Sequence, residues 1–388
     1  MMMISLNYSI FSTFLSFCYK KRTTALLFLF FLSYLFSTTS LACTEITLKA
    51  KNGTVITGRT LDFVPPLNSY IVTVPRGTIY KSTLPHTIKS LSWKSKYGFV
   101  YFNAFGQAVV SDGMNEKGLS FAVLYLPGYT TYPSQKDIVS TKHAISIYNL
   151  GSWVLSNYKT VAQVESALTH VTVIDPGLNI PNYGKVHLPL HVIITDPSGK
   201  SIVIEWHHKK MRIYDDKFGI LTNSPTFDWQ MNNLKNYINL SPYSSSPIKI
   251  NGLTFVGTGQ GSGMHGLPGD ATPPSRFVRM FFLTQTALPV KSTNEALTLA
   301  EHILGAAFVP KGFARGEKSN QKDEIDKTQW EVYKDLKHRI LYFSSYNYPV
   351  LRKINLKKIN FSVGAPSLKI AVSSPMIQAI NVTDKLSQ

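Results

Sequence analysis

The feature that most constrains this chain is a cysteine at the end of an export-type leader. Basic residues at 20–22 precede an apolar run at 25–36, and Ser40 and Ala42 supply the small-x-small pattern that signal peptidases cleave. Cleavage after Ala42 would remove a signal peptide at residues 1–42 and make Cys43 the first residue of the mature protein. Its thiol and a free α-amino group would then supply a nucleophile and a base on one residue.

Composition limits the partners and the number of domains. The chain has 388 residues and a net charge of +18, and the leader holds three basic and no acidic residues, so the mature 346 residues carry +15. This charge favours anionic partners, but the basic residues are scattered and form no zinc-finger, helix-turn-helix or RNP-like pattern. We therefore expect no nucleic-acid partner. Because no linker or internal repeat divides the sequence, residues 43–388 are predicted to form one domain.

The cysteine count leaves two interpretations of Cys43. The only other cysteine, Cys18, lies in the leader, so the mature chain has one thiol and no internal disulfide. The first interpretation is a reactive thiol in an exported protein, which would be secreted or periplasmic after cleavage. The second is a lipid anchor, but lipoprotein sites usually have Leu before a small residue, and Ser40 and Leu41 invert that order. A lipid-anchored binding protein without catalysis is therefore the competing class.

Alternating and helical patterns predict an α+β fold. A hairpin with its turn at residues 51–53 would bring Arg59 and Asp62 beside the start of the first strand. A cation there favours a thiolate, and a carboxylate can orient the α-amine, whose pKa of about 8 suits a general base. The predicted strands are residues 43–48, 54–60, 71–75, 98–110, 120–126, 190–195, 201–206, 330–337 and 339–343; the predicted helices are 142–158, 161–168, 274–283 and 294–304; and 112–119 is a predicted turn.

Six segments in the expected order resemble the choloylglycine hydrolase family, which comprises conjugated bile salt hydrolases and penicillin V acylases. These enzymes are N-terminal-nucleophile hydrolases. The segments are 43–44 (CT), 58–62 (GRTLD), 112–119 (DGMNEKGL), 221–230 (LTNSPTFDWQ), 258–270 (TGQGSGMHGLPGD) and 275–279 (SRFVR). The resemblance implies an αββα four-layer sandwich, and 43–388 would be its catalytic domain.

The resemblance also implies the reaction and the roles of site residues. Cys43 would attack a linear amide and pass through a thioester, with its own amine as the base and with no metal or organic cofactor. The Asn223 side chain and the backbone N–H of Tyr125 would form the oxyanion hole. The charge network around the site would have three members, Arg59, Asp62 and Arg276.

Substrate and assembly are left open by the resemblance. The small-molecule amide would be a bile salt conjugate, penicillin V or a fatty-acyl amide such as an acyl-homoserine lactone. Bile-salt-cleaving members commonly have Asn at the position of Tyr125, whereas several penicillin V acylases have Tyr, so this residue favours penicillin V. The spacing of 53 positions from Asn223 to Arg276 leaves room for the insertion that some family tetramers use, so we expect a homotetramer.

Three other patterns have simpler interpretations. The glycine-rich segment 257–263 lacks the Lys-Ser/Thr of a phosphate loop. His187 and His191 share a face of an extended segment, but no further ligand cluster accompanies them, so core or surface histidines are expected instead of metal ligands. Four aromatic residues suit an acyl pocket and a core equally well: Phe121, Tyr125, Tyr129 and Tyr132.

Overall fold

The structure, a computed structural model, describes residues 43–85, 87–138, 143–316 and 325–376. The predicted signal peptide, residues 1–42, lies outside the described residues. In the described ranges the helices are α1 (Ile147–Asn157), α2 (Val161–Leu168), α3 (Phe227–Asn233), α4 (Pro273–Thr286) and α5 (Thr293–Gly305), with 3₁₀ turns at Gln135–Asp137, Leu234–Tyr237, Ser262–Met264 and Leu356–Lys358. None of these helices is long and apolar enough to cross a membrane.

The strands of the described residues form two large antiparallel sheets and several two-stranded ones. They are β1 (Thr44–Lys49), β2 (Val55–Asp62), β3 (Tyr70–Val74), β4 (Ile79–Lys81), β5 (Ser92–Lys94), β6 (Phe99–Ala104), β7 (Gln107–Asn115), β8 (Ser120–Tyr125), β9 (His143–Ser146), β10 (Val171–Ile174), β11 (Leu178–Ile180), β12 (Gly184–Val186), β13 (Leu190–Thr195), β14 (Ser201–His207), β15 (Lys210–Asp215), β16 (Ile248–Ile250), β17 (Leu253–Phe255), β18 (Ala314–Arg315), β19 (Ile325–Asp326), β20 (Thr328–Asp335), β21 (Ile340–Ser345), β22 (Tyr348–Asn355) and β23 (Lys369–Ala371). The five-stranded sheet has the order β1-β2-β20-β21-β22, and the eight-stranded sheet has the order β15-β14-β13-β8-β7-β6-β3-β23.

Helices cover the outer faces of the two sheets and give the predicted αββα sandwich. Helices α4 and α5 pack on β1 and β2, whereas α1 packs on β7 and β8. The period-2 alternation of β13 divides its side chains between two cores. Ile193 packs in the cluster that contains Val332, while Val192 and Ile194 pack in the cluster that contains Leu155. The apolar runs of these strands are therefore explained by burial on both faces.

The predicted β1–β2 hairpin is confirmed, and its register brings the ends of the two strands together. Thr44 lies opposite Thr60, and Glu45 lies opposite Arg59. Gly53, at the turn, has a φ of 78°, a value that glycine adopts without steric cost. The hairpin thus places the start of β1 beside the last residues of β2, as the sequence predicts.

Most predicted boundaries lie within three residues of those in the structure, and three predicted elements differ by more. The single strand predicted at 98–110 is two strands, β6 and β7, because Phe105 and Gly106 both have positive φ and form a two-residue hairpin turn. The turn predicted at 112–119 begins later, since Asp112 is still in β7. A charged residue at position 112 suggested a turn. In the structure Asp112 is buried in an ion pair, which is why a strand can contain it. Within 142–158, β9 precedes α1, and Lys142 lies outside the described residues.

Candidate active site

Cys43 lies directly before β1, between the two large sheets. Its Sγ is 3.7 Å from Nη2 of Arg59 and 3.8 Å from the carbonyl oxygen of Asp62. Burial raises the pKa of the Cys43 thiol, and the Arg59 cation offsets only part of this effect. Arg59 therefore acts in the predicted direction, but burial outweighs it. A thiol in this setting needs a proton acceptor before it can attack.

The Arg59 side chain reaches from the five-stranded sheet to the eight-stranded sheet next to the thiol. From β2 its guanidinium donates to the carbonyl of Ser111 at 2.7 Å and to the carbonyl of Val123 at 2.5 Å. It also pairs with Asp112 at 3.5 Å and lies over the ring of Trp330. Because both sheets hold the guanidinium, its charge is fixed in position beside Sγ.

The Asp62 carboxyl is held by two hydroxyl groups. Thr60 donates to one carboxyl oxygen at 3.2 Å, and Thr328 donates to the other. Burial, together with the nearby Asp326, raises the pKa of Asp62 to about 8, although Arg276 acts in the opposite direction. An ammonium group that formed at Cys43 would favour the ionised carboxylate. Asp62 is therefore suited to respond to a charge that appears beside the nucleophile.

Asn223 joins the backbone of Cys43 to the end of β8. Its Oδ1 accepts a hydrogen bond from the backbone nitrogen of Cys43 at 2.6 Å, and its Nδ2 donates to the carbonyl of Tyr125 at 2.7 Å. The N–H and C=O of one strand residue point to the same edge, so the Tyr125 N–H also faces Asn223. The two predicted oxyanion donors, Nδ2 and this N–H, therefore lie at the same edge of β8.

Arg276, in the first turn of α4, hydrogen-bonds both Cys43 and Asn223 and so fixes their positions relative to each other. One terminal nitrogen donates to the carbonyl of Cys43 at 2.6 Å and to the hydroxyl of Thr44, and the other donates to Oδ1 of Asn223 at 3.0 Å. The side chain is fully buried. The structure thus brings together all six residues predicted for the site: Cys43, Arg59, Asp62, Tyr125, Asn223 and Arg276. Their individual catalytic roles stay predictions.

An apolar cavity of about 60 Å³ opens beside Cys43. Its walls combine leucines from several strands with a group of aromatic rings. Phe63 contacts both Phe105 and Tyr125 edge to face, with centroid distances of 5.7 and 6.4 Å. The leucines are Leu61, Leu67, Leu124, Leu178, Leu188 and Leu190. A cavity of this kind accepts an apolar group attached to the carbonyl that the thiol attacks.

The four aromatic residues that suited a pocket or a core equally well divide between the two. Tyr125 lines the cavity, whereas Phe121 is buried in the core beside α1. Tyr132 packs on Trp206 in the same core, and Tyr129 is exposed.

The two histidines considered as metal ligands have separate partners. His187 is exposed and lies 2.9 Å from Asp175. His191 is buried and contacts Glu205 and the backbone of Thr222. The glycine-rich segment 257–263 is largely exposed and leads into a short 3₁₀ turn.

Sequence reasoning missed two groups of site residues. Thr328 contacts Asp62 although 266 positions separate them, and nothing in its local sequence signals this contact. The second group is a buried network behind Arg59. Lys334 donates to Asp112 at 2.7 Å and lies 3.5 Å from Glu45. Charged residues inside otherwise apolar strands, Glu45 in β1 and Lys334 in β20, were the available signal.

A four-layer sandwich with a cysteine at the head of its first strand defines an N-terminal-nucleophile hydrolase, and the comparisons with known proteins agree. The sequence profile of linear amide C-N hydrolases, choloylglycine hydrolase family, matches residues 43–371. A bile salt hydrolase/transferase of Clostridium perfringens is 34% identical over 324 residues, which are 82% of this chain and 93% of that protein. A penicillin V acylase of Pectobacterium atrosepticum is 30% identical over 345 residues, 84% of each chain.

A solved structure gives the same result. A mutant of the conjugated bile acid hydrolase from Clostridium perfringens superposes with a TM-score of 0.75 at 30% identity, covering 87% of this chain and all of that one. This chain belongs to the choloylglycine hydrolase family of linear amide C–N hydrolases. It is an enzyme that acts on carbon–nitrogen bonds other than peptide bonds.

Proposed function

We propose that this chain is an exported amidase that becomes active when removal of residues 1–42 frees the α-amine of Cys43. A peptide nitrogen has no basic lone pair, so an uncleaved chain would have a thiol without its proton acceptor. The family match begins at residue 43, which supports this boundary. The leader would then direct the protein to a secreted or periplasmic location, and its removal would complete the active site.

The proposed reaction has two steps. In acylation, the α-amine takes the thiol proton, Sγ of Cys43 bonds to the amide carbon, and the oxyanion lies between Nδ2 of Asn223 and the N–H of Tyr125. The C–N bond breaks as the ammonium returns its proton to the leaving amine. In deacylation, the α-amine takes a proton from water, whose oxygen attacks the thioester. The acid leaves and the thiol is restored.

Our choice of substrate rests on the size of the cavity beside Cys43. An apolar cavity of about 150 Å³ holds one benzene ring, so the walls of this cavity of about 60 Å³ would have to move apart to take a single ring, and less so to take a slim chain. The four fused rings of a steroid would need much larger displacements. We therefore propose an aryl-acyl amide such as the phenoxyacetyl amide of penicillin V as the preferred substrate, in agreement with Tyr125 at the pocket wall.

Competing hydrolysis assays test this choice. We expect the release of 6-aminopenicillanic acid from penicillin V to exceed the release of glycine from glycocholate in kcat/KM, with Cys43→Ala as the control without a nucleophile. The relative at 34% identity is a bile salt enzyme, so glycocholate is the principal alternative. A higher kcat/KM for glycocholate, or for a fatty-acyl homoserine lactone, would refute the aryl-acyl choice.

The intact mass of the exported protein tests the competing lipoprotein hypothesis. Cys43 is only 4% exposed and its thiol points between the sheets, which argues against a diacylglyceryl group on Sγ. We expect a mass that corresponds to residues 43–388 with no adduct. A lipid adduct on Cys43 would contradict the enzyme proposal.

We also propose a homotetramer, supported by an exposed apolar hairpin between Asn223 and Arg276. Strands β16 and β17 place four side chains on one face, and each is more than half exposed. These are Ile248, Ile250, Leu253 and Phe255. Such a patch is typical of a protein–protein interface. Light scattering should give a tetramer for the wild type and smaller species for Leu253→Asp, with Lys249→Ala as the control on the other face. A monomeric wild type at micromolar concentration would refute this assembly.

A further inference from the structure

A buried ion pair lies directly behind the segment that carries Asn223. His191 on β13 and Glu205 on β14 are both fully buried. The Nδ1 atom of His191 is 2.9 Å from Oε1 of Glu205, and its Nε2 atom is 2.9 Å from the carbonyl oxygen of Thr222, the residue before Asn223. Neither residue touches the thiol or lines the cavity, and the mechanism above does not use them.

The partners of both ring nitrogens of His191 are hydrogen-bond acceptors. A carboxylate oxygen and a backbone carbonyl oxygen can only accept, so Nδ1 and Nε2 are the donors of these two hydrogen bonds. Glu205 also accepts from Nε2 of His207 at 2.7 Å and from the backbone N–H of Phe227 at 3.1 Å. Burial acts to raise the pKa of Glu205, but the hydrogen bonds from the two histidines outweigh it and lower this pKa to about 2. Glu205 is therefore an ionised carboxylate that accepts these hydrogen bonds.

This pair holds the Asn223 segment on both sides. His191 binds the carbonyl of Thr222, which precedes Asn223. Glu205 binds the N–H of Phe227, the first residue of α3, which follows the Asn223 segment. The intervening chain has no regular secondary structure of its own and includes the cis Ser224–Pro225 bond. Charge-assisted hydrogen bonds are shorter and about twice as strong as neutral ones. They are well suited to fix a loop whose side chain must meet an oxyanion at about 3 Å.

We propose that His191 and Glu205 are positioning residues that set the Asn223 side chain in the oxyanion hole through the Thr222 carbonyl. Stability alone is a weak explanation for the pair, because apolar residues of similar volume often replace a buried ion pair without loss. The inference rests on the family's amide hydrolysis and does not depend on which acyl group the cavity accepts.

Two substitutions separate the two hydrogen bonds of His191. The amide nitrogen of Gln reaches the place of Nε2, so His191→Gln keeps a donor to Thr222 and loses the one to Glu205. The amide nitrogen of Asn reaches the place of Nδ1, so His191→Asn keeps the donor to Glu205 and loses the one to Thr222. The proposal therefore predicts that the Gln variant retains more activity than the Asn variant.

The full chain, expressed with its leader, is assayed in two reactions. One is hydrolysis of whichever amide the wild type cleaves best among penicillin V, glycocholate and decanoyl-homoserine lactone. The other is acylation of Cys43 by p-nitrophenyl acetate, which needs the oxyanion hole but not the acyl pocket. A wrong choice of amide therefore leaves the second reaction intact as a test.

For His191→Asn we expect kcat and the acylation rate to fall about 10- to 100-fold, less than for complete loss of a donor, with KM within about threefold. For His191→Gln the fall should be under about tenfold. Alkylation of Cys43 by iodoacetamide, which forms no oxyanion, should stay within about twofold and also reports that the site is folded. His207 contacts Glu205 but not Thr222, so kcat and the acylation rate of His207→Gln should stay within about threefold of wild type.

Two results would overturn the proposal. One is an unchanged kcat and acylation rate in His191→Asn. The other is an equal loss in the Asn and Gln variants together with slower alkylation, because that pattern would indicate a general structural role.

Discussion

Replacing Asn223 by Ala removes one side chain on which three other groups depend. Its amide bonds the backbone nitrogen of Cys43 at 2.6 Å, the carbonyl of Tyr125 at 2.7 Å and the guanidinium of Arg276 at 3.0 Å. The lost oxyanion donor should lower kcat about 10²–10³-fold, which corresponds to about 2.7–4 kcal/mol. Each buried group left without a partner costs about 1–3 kcal/mol of stability, so the melting temperature should also fall.

The two effects of this substitution are measured separately. Steady-state hydrolysis of penicillin V gives kcat and KM, and we expect KM to change far less than kcat because the cavity wall is intact. Iodoacetamide alkylation counts the reactive thiols, so the rate is expressed per folded site. The exposed Asn236→Ala serves as the matched control. A kcat within about threefold of wild type would refute the oxyanion role of Asn223.

Three further predictions test the surroundings of the thiol. Arg59→Met removes the cation that lowers the thiol pKa, so the pH profile of iodoacetamide alkylation should shift to higher pH; a shift to lower pH would contradict this. Lys334→Met removes the cation next to the buried Glu45 carboxyl and leaves Asp112 paired with Arg59 alone, so the free energy of unfolding should fall by up to about 3–5 kcal/mol, and an unchanged denaturation midpoint would argue against the network. Phe63→Ala widens the cavity, so kcat/KM for glycocholate should rise relative to penicillin V; a constant ratio would show that this wall does not select the acyl group.

The sequence was sufficient where contacts are local or lie in paired strands. The β1–β2 hairpin follows from a turn at residues 51–53 between two alternating segments, and its register alone brings Arg59 and Asp62 to Cys43. Asn223 and Arg276 are 180 and 233 positions from Cys43. Spacing could not place them there, and only the resemblance to a family did so.

What the sequence could not supply is the second layer of contacts around these residues. Asp112 has the residue type and neighbours of a turn, and only the packed sheets show that it is paired with Arg59 and Lys334. His191 is one of two histidines on an extended segment, and its role depends on a loop that approaches from a distant part of the chain. Side-chain partners across layers depend on how the sheets stack, which local patterns do not specify.

The most direct test of the central claim compares two chains that differ by one residue at the N-terminus. One begins at Cys43 and the other retains Ala42, and intact mass verifies both. General-base catalysis typically contributes about 10²–10⁴-fold, so blocking the α-amine of Cys43 with a peptide bond should lower kcat by about that factor. Equal kcat values for the two chains would contradict the account, because the base would then be a group other than the amine of Cys43.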